Sequence, residues 1–550
     1  MLTEQEIRAR FPISELRLDD EQLRIVGRFA PLKSYKDGET LVAVGARDQP
    51  CHVIRSGEVE IIYFSSGKRQ VLGKIGPREL LGEVSLLTGR ASILTKIAKG
   101  DVEVFEIVPE NLRCMIDEEP KLGNILLAAF IARSQILRDL NLSPLQVIGS
   151  RFSADTFRIR DFFAKNRVFF SWIDIESDPN MEELFKRLKI SESDTPVVAF
   201  GNEWTRRNPT NRELAEQLGI LKTLKEEVYD LAIVGAGPSG LAAAVYSASE
   251  GLNTLVLERE APGGQAGTSS NIENYPGFPM GLSGSKLAGQ MVLQAQKFGA
   301  HITTPCEVQK LEFENGYPIL HLDNDKRASA RCLLIASGAS YRRLNVEGRQ
   351  EFEGVGVYYD ATPMEAQMCE GELVVVVGGA NSAGQATVFL AEHASKVLLL
   401  IRGEDLRKGM SRYLSRRIEQ TKNIELLSNT EITRMTGKGH LEAIEIRDNR
   451  TGGTRMVETP AVFTFIGAVP HTEWLPLGLE TDQEGFIKTG SAVTDSPFWT
   501  AQRRPHFLET SHPGVFAAGD VRSSSMKRVT SAVGEGAMAV AFVHEYLRNL

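Results

Sequence analysis

The stretch from Tyr229 to Glu258, YDLAIVGAGPSGLAAAVYSASEGLNTLVLE, constrains the fold more than any other part of the chain. A short apolar strand runs into Gly235-x-Gly237-x-x-Gly240, then a helix, then a second apolar strand. In such a turn the first glycine permits the tight bend. The second lets the backbone approach a pyrophosphate, and the third lets helix pack on strand. The following helix N-terminus then faces the phosphate charge, and Pro238 and Ser239 within the turn are counted with the glycines as cofactor-binding residues. Glu258 ends the next strand about 20 residues on, where it can accept from ribose hydroxyls. The pattern predicts a Rossmann-like α/β unit that binds a dinucleotide.

A second such unit begins at Leu373: LVVVVGGANSAGQATVFLAEHASKVLLLIR. Its turn is Gly378-x-Ala380-x-x-Ala383, with a methyl group where backbone should meet phosphate. The strand after it ends in Ile401-Arg402, without an acid. An acid there favours NAD, and an arginine accommodates the 2′-phosphate of NADP. Arg402 and Arg407 are the candidates; the alternative is that both are solvated surface arginines. Two dinucleotide units in one chain imply FAD plus NADPH. FTFIGAVPHTEWL (463–475) closes the second unit, and GVFAAGDVRSSSMKRVTSAVGEGAMAVAFV (514–543) reads as a return to the first. Gly519-Asp520 ends a strand there, where Asp520 can bond a flavin ribityl chain. The helix from about Ser531 can point its positive end at the flavin ring.

Residues 228–550 resemble the low-molecular-weight thioredoxin reductases. The matching pieces are GAGPSG, GGQAG (263–267), NIENYPGF (271–278), FIGAVPHT and AAGDV. The resemblance implies that the first and last segments bind FAD and the inserted segment NADPH. It places Gly264, Gln265, Asn274, Asp520, Arg528 and Val529 around FAD. It places Asn381, Ser382, Arg402 and Arg407 around NADPH. Gly403 stands where that family often has a further arginine, which softens the expected NADPH preference. Asp360 and Pro363 stand where the family has its redox cysteines, in the stretch YYDATPMEA. A disulfide reductase needs a thiolate beside its flavin, and a carboxylate cannot cycle between two redox states.

KDGETLVAVGARDQPCHVIRSGEVEII alternates apolar and polar residues with glycine breaks, which predicts short antiparallel strands. With the helical stretch after it, the segment resembles a cyclic-nucleotide-binding domain, a β-roll with C-terminal helices. Gly57-Glu58 and Gly82-Glu83 match its landmarks. The resemblance implies that Gly82 and Glu83 meet the ribose and that an arginine near Arg90 meets the cyclic phosphate. The alignment puts Ser92-Ile93 at the phosphate pair, however, with Arg90 two positions off. Two readings stay open, a purely structural β-roll and true nucleotide binding. The apolar face of the helix at 122–140 (Ile125, Ala129, Ala132, Ile136) pairs two subunits in such domains or fills its own core. The first alternative makes a homodimer. The segment LQVIGSRFSADTFRIRDFFAKNRVFFSWIDIE, with Thr195-Pro196 and the helix in TNRELAEQLGI (210–220), where Thr210 and Glu213 form a capping box, resembles a thioredoxin or glutaredoxin-like domain. Pro196 matches its cis-proline, and Ser153-Ala154-Asp155-Thr156 stand where its cysteine pair belongs.

The expected fold is therefore multidomain. It comprises a β-roll with helices (1–142), a thioredoxin-like α/β domain (146–222), an FAD domain (228–344 and 469–550) and an NADPH domain inserted in it (345–468). The five cysteines, Cys51, Cys114, Cys306, Cys332 and Cys369, include no CxxC pair, which argues against a disulfide framework and a zinc site. No metal site is expected. The net charge of −8, with no basic tail, gives nucleic-acid binding no electrostatic support. The longest apolar run, NILLAAFIA at 124–132, is too short to span a bilayer, and a cytoplasmic protein is expected. The function expected is NADPH-dependent flavin reduction, with electrons passed to a non-disulfide acceptor: a quinone, a ferredoxin-like protein or a small molecule. The competing classes are a thioredoxin reductase using other cysteines, and a flavin- or cyclic-nucleotide-responsive regulator.

Overall fold

The computed structural model describes residues 17–47, 49–65, 68–82, 91–92, 94–126, 128–129, 143, 145–177, 181–201, 203–224, 227–269 and 271–550. The described residues form two compact units. One draws on Met1–Ser150, Val168–Thr223 and Gln296–Gly299, the other on Arg151–Arg167, Leu224–Ala295 and Ala300–Leu550.

In the first unit, α1 (Asp20–Phe29) precedes six strands: β1 (Leu32–Tyr35), β2 (Thr40–Val42), β3 (Cys51–Ser65), β4 (Lys68–Ile75), β5 (Leu80–Leu81) and β6 (Thr95–Ile107). They form one antiparallel sheet in the order β1-β6-β3-β4, with β2 on β6 and β5 on β3. The helix α2 (Pro109–Glu118) follows. Cys51, Val53, Leu80 and Ile107 pack with α1 and α2, while Ile54, Val59, Val102 and Val104 fill a second core. The register of β3 on β6 slips around Ser56. Gly57 sits at that slip with φ +86°, and a Cβ there would strike the Asp101 carbonyl. Only glycine tolerates both conditions. Gly82 is similar: φ is +95° and the Pro50 carbonyl oxygen lies 2.9 Å from a would-be Cβ. Both glycine landmarks thus have a reason in the fold itself.

The same unit holds a four-stranded sheet, with a helix between its first two strands in the chain: β7 (Leu145–Ile148), α3 (Ala154–Lys165), β8 (Ser171–Ile173), then α4 (Met181–Leu188), β9 (Val197–Phe200), β10 (Trp204–Arg207) and α5 (Asn211–Leu218). Its order is β10-β9-β7-β8, with β7 parallel to β8 and antiparallel to β9. The Thr195–Pro196 peptide is cis. Thr210 and Glu213 close the expected capping box on α5. Residues 151–167, which carry α3, group with the second unit instead.

The second unit has two lobes. The main lobe contains β11 (Val228–Val234), α6 (Pro238–Ser249), β12 (Thr254–Leu257), α7 (Gly264–Gly267), α8 (Gly284–Lys297), β13 (His301–Thr303), β14 (Val308–Glu314), β15 (Tyr317–Leu322) and β16 (Arg327–Ile335). The chain leaves through β17 (Ala339–Tyr341). The inserted lobe then contains β18 (Val357–Tyr358), α9 (Pro363–Met368), β19 (Leu373–Val377), α10 (Asn381–Leu390), β20 (Lys396–Leu400), α11 (Arg412–Gln420), β21 (Ile424–Leu427), β22 (Thr430–Gly437), β23 (Leu441–Asp448), β24 (Thr454–Glu458) and β25 (Ala461–Thr464). The chain returns through β26 (Ala468–Pro470), which pairs with β17, and ends in β27 (Val515–Ala517) and α12 (Val529–Leu547).

The main sheet runs β13-β12-β11-β16-β15-β14, with β27 added in parallel to β16. That addition returns the C-terminal segment to the first nucleotide unit. The inserted sheet, β18-β25-β19-β20-β21, is wholly parallel, beside an antiparallel β22-β23-β24. Such sheets are covered on both faces, which is why β11, β19 and β20 read as continuous apolar runs. Among the described residues, no helix is long and apolar enough to cross a membrane.

Candidate functional site

The main-lobe site is built where β11 turns into α6. Gly235 takes φ +102°, and a Cβ there would strike the Ala336 carbonyl. A Cβ on Gly240 would strike the Gly235 carbonyl. Gly237 differs: its Cβ position meets only the Gly264 Cα, at 4.0 Å. The middle glycine leaves a cradle open, as the fingerprint requires. Gly264, at φ +52°, faces it, so two glycine turns line the cradle. No side chain caps the N-terminus of α6, so its first N–H groups are left for an outside acceptor. Ser239 Oγ is shielded from solvent and has no hydrogen-bond partner. An open cradle, free helix donors and an unpartnered hydroxyl together fit a pyrophosphate.

Glu258 accepts from the backbone N–H of Ala236 at 2.7 Å and of Glu260 at 2.9 Å. Desolvation outweighs these donors and holds its carboxyl above the usual range. The sequence reading gave this side chain to a ribose; what the structure adds is that it clamps the glycine turn. Gln265 donates to the Ala339 carbonyl at the start of β17. Asn274 and Arg528 are exposed, and Val529 packs beside Ile272, Leu282 and Leu287. Val529 begins α12, which has no side-chain cap, two residues before the expected start near Ser531. Burial raises the Asp520 carboxyl above its ordinary value, against the pull of Lys527. The Gly519 N–H donates to Glu535 Oε2 at 2.7 Å, and Glu535 pairs with buried Arg522. Sequence reasoning missed Glu535 and Arg522. The only signal was an acid inside an apolar helix.

The inserted lobe repeats the design. Gly378 takes φ +146°, and a Cβ there would strike the Phe465 carbonyl, as one on Gly235 would strike Ala336. Ala380 is the N-cap of α10 and offers no side-chain cap. Asn381 Oδ1 accepts from the Ser411 N–H at 2.8 Å, and Ser411 Oγ has no partner. Ser382 hydrogen-bonds Tyr341. Arg402 is exposed. Arg407 pairs with Glu419 at 3.0 Å, so one of the two candidate guanidiniums already has a carboxylate. This cradle, with its free helix donors and orphaned hydroxyl, fits a second dinucleotide.

Asp360 and Pro363 lie at the start of α9. Thr362 is the N-cap; its hydroxyl accepts from Met364 N–H, and its own N–H donates to Glu365 at 2.8 Å. Asp360 accepts from Thr268 Oγ1 at 3.0 Å and meets Lys165 Nζ at 3.5 Å. Lys165 also reaches Asp161 at 2.9 Å and Glu260 at 3.8 Å. Burial alone would lower the Lys165 ammonium, but Asp161, Asp360 and Glu260 together raise it. Cys369, the thiol nearest in sequence, is buried, and desolvation pushes it up to about 12. Cys332 is raised for the same reason. In the β-roll, Glu83 and Arg90 lie outside the described residues, as do Ile93, Ala132 and Ile136. Ser92 is buried and its hydroxyl donates to the Leu94 carbonyl at 2.9 Å.

A two-lobed unit with a nucleotide cradle in each lobe defines an FAD- and NAD(P)-linked oxidoreductase. Residues 229–536 match the pyridine nucleotide-disulphide oxidoreductase family, to which the chain belongs. Residues 32–119 match the cyclic nucleotide-binding domain. The thioredoxin reductase of Bacillus subtilis is 33% identical over 328 residues, 59% of this chain and 97% of that protein. A 34.2 kDa protein in the rubredoxin operon of Clostridium pasteurianum is 31% identical over 59% of this chain and 98% of its own length. Among solved structures, Lactococcus lactis thioredoxin reductase aligns with a TM-score of 0.53 at 27% identity, covering 58% of this chain and 100% of that one. The chain is thus a thioredoxin reductase-like flavoprotein, of a family that uses FAD and NADPH, joined to a cyclic nucleotide-binding domain.

Proposed function

We propose that the protein passes electrons from NADPH through FAD to an acceptor other than a disulfide, a quinone, a ferredoxin-like protein or a small molecule. One observation carries the reading. The turn that should present two sulfurs presents Asp360 and Pro363, and Cys369 beyond it is a buried, un-ionised thiol.

In this reading Gly235, Gly237, Pro238, Ser239 and Gly240 hold the FAD pyrophosphate, with Glu258 toward the ribose. Gly264, Gln265, Asn274, Gly519, Asp520, Arg528 and Val529 surround the rest of FAD. Gly378, Asn381, Ser382 and Arg402 hold NADPH, with Arg407 shared with Glu419. When bound, the two cofactors supply the redox chemistry themselves. The protein's part is to bind and orient them, since positioning contributes most to such a transfer. The 146–222 segment reads as a thioredoxin or glutaredoxin-like domain without its cysteines. Its sheet order and the Ser153 cap of α3 support that reading.

The test replaces Cys51, Cys306, Cys332 and Cys369 with alanine and exposed Cys114 with serine. Bound FAD is confirmed, and NADPH oxidation is followed with a dye and with a disulfide. Dye reduction is expected to survive, and disulfide reduction to be negligible in both proteins. Wild-type disulfide turnover that vanishes without the cysteines would refute the proposal.

A further inference from the structure

The main and inserted lobes are joined by two chain crossings, β17 and β26, paired as a two-stranded ribbon. A ribbon this narrow leaves the lobes free to swing unless something else spans them. Among the described residues, two side-chain contacts between the bodies of the lobes do so: Thr268 with Asp360, and Arg417 of the inserted lobe with Glu273 of the main lobe at 3.4 Å; Ser382 reaches only the ribbon, at Tyr341. The second is an exposed ion pair, which holds little.

The segment 151–167 adds a third body to this junction. On the main-lobe side, Asn166 Nδ2 donates to the Glu260 carbonyl at 3.1 Å. Arg167 donates to the Pro262 carbonyl at 2.9 Å and to the Ser285 carbonyl at 3.1 Å. Gly263 and Gly289 leave room for Arg167: a Cβ on either would lie 3.2–3.3 Å from its side chain. On the inserted-lobe side, Phe157 packs on Tyr358 with ring centroids 5.4 Å apart, and Phe152 on His440 at 4.6 Å. Gly354 gives way to Phe157, whose ring lies 3.3 Å from a would-be Cβ. Lys165 joins both sides, through Glu260 of the main lobe and Asp360 of the inserted lobe.

We infer that α3 and its flanks act as a strap that holds the two nucleotide lobes in one arrangement, with Lys165 as its fastening point. The strap meets the turn at Asp360, through Lys165, while Pro363 stays exposed. Asp360 receives the strap at the position where the resembled family has a redox cysteine. The inference holds whatever the electron acceptor is.

The test measures distances between the lobes in the full-length holoprotein. Spin labels are placed at Gln309→Cys in the main lobe and Arg455→Cys in the inserted lobe, with Cys114→Ser to remove the exposed native thiol; both label sites are exposed. The otherwise unaltered protein should give a single narrow distance distribution. Lys165→Glu sets a fourth carboxylate among Asp161, Asp360 and Glu260, and should broaden or split it. Adding Asp360→Lys restores a cation at the junction and should narrow it again. A broad distribution without the strap substitution, or a single variant as narrow as its parent, overturns the strap. A charge-swapped variant as broad as the single one overturns the role of the ion pair. If Lys165→Glu loses its FAD, amide exchange of 151–167 in the wild-type holoprotein decides instead. Slow exchange supports docking, and exchange as fast as an exposed helix overturns it.

Discussion

At Glu365 a helix cap and a titration fall on one side chain. Its carboxylate accepts from the N–H and hydroxyl of Thr362, yet the residue is only 1% exposed. Desolvation pushes its pKa up to about 7; Asp161 and Asp360 add to this, and the Thr362 bonds oppose it. A folded-state pKa above the unfolded one means that the native protein binds the proton more tightly. The group's contribution to stability is thus fully present below about pH 4.5 and is lost as pH rises through about 7. The gap between those values limits the effect to about 3 kcal/mol. Glu365→Gln keeps an acceptor for the Thr362 N–H and cannot ionise. Between about pH 5 and about pH 8, the melting temperature of the wild type is expected to fall more than that of Glu365→Gln. Parallel melting curves would show that Glu365 does not titrate in that window.

Among the elements, the crossing of α6 and α12 governs the main-lobe site. A Cβ on Gly536 would strike the Ser239 carbonyl, so the two helices meet backbone to backbone. That contact sets the uncapped start of α6 beside the Gly519–Asp520 turn, where Gly519's would-be Cβ lies 3.1 Å from Ser239 Cβ. Gly536→Ala is expected to force the helices apart, at a cost of about 1–3 kcal/mol, and to lower FAD content. Gly534, two residues earlier, has nothing within 4 Å of its Cβ position. Gly534→Ala should therefore hold or raise stability, since alanine is favoured over glycine in a helix by up to about 1 kcal/mol. Thermal melting with flavin absorbance separates the two. Equal behaviour of the pair would mean that the crossing does not depend on the missing side chain.

On the scale of the whole molecule, the oxidoreductase family match takes residues 229–536, and the β-roll, within 32–119, lies outside it. The β-roll's landmarks Gly57 and Gly82 are explained by strand geometry, and the Ser92 hydroxyl is spent on the Leu94 carbonyl. With no arginine in the expected register, a cyclic phosphate would lose its charge-assisted bidentate contact. Calorimetry of the full chain with cyclic AMP or cyclic GMP should therefore show no micromolar binding, and neither ligand should alter flavin reduction by NADPH. Micromolar affinity would give Arg90 or another group the phosphate after all.

The two glycine turns and the absence of a CxxC pair were legible along the chain alone. Gly235 and Gly378 take a positive φ within their turns, and Gly240 meets the Gly235 carbonyl of its own turn, so spacing along the chain is enough to read them; that Gly235 and Gly378 also abut the Ala336 and Phe465 carbonyls is set by the fold. Asp360 and Pro363, at positions where the resembled family has cysteines, are read in the same direct way. The tertiary structure alone decided what happens at that turn. Lys165 precedes Asp360 by nearly two hundred residues, and no period or motif ties an ammonium on one helix to a carboxylate in a distant loop. Glu535, Arg522 and the grouping of 151–167 with the nucleotide lobes were hidden for the same reason. Charge pairing and burial are properties of positions in space, and the pattern along a chain records them only where its neighbours in sequence are also its neighbours in the fold.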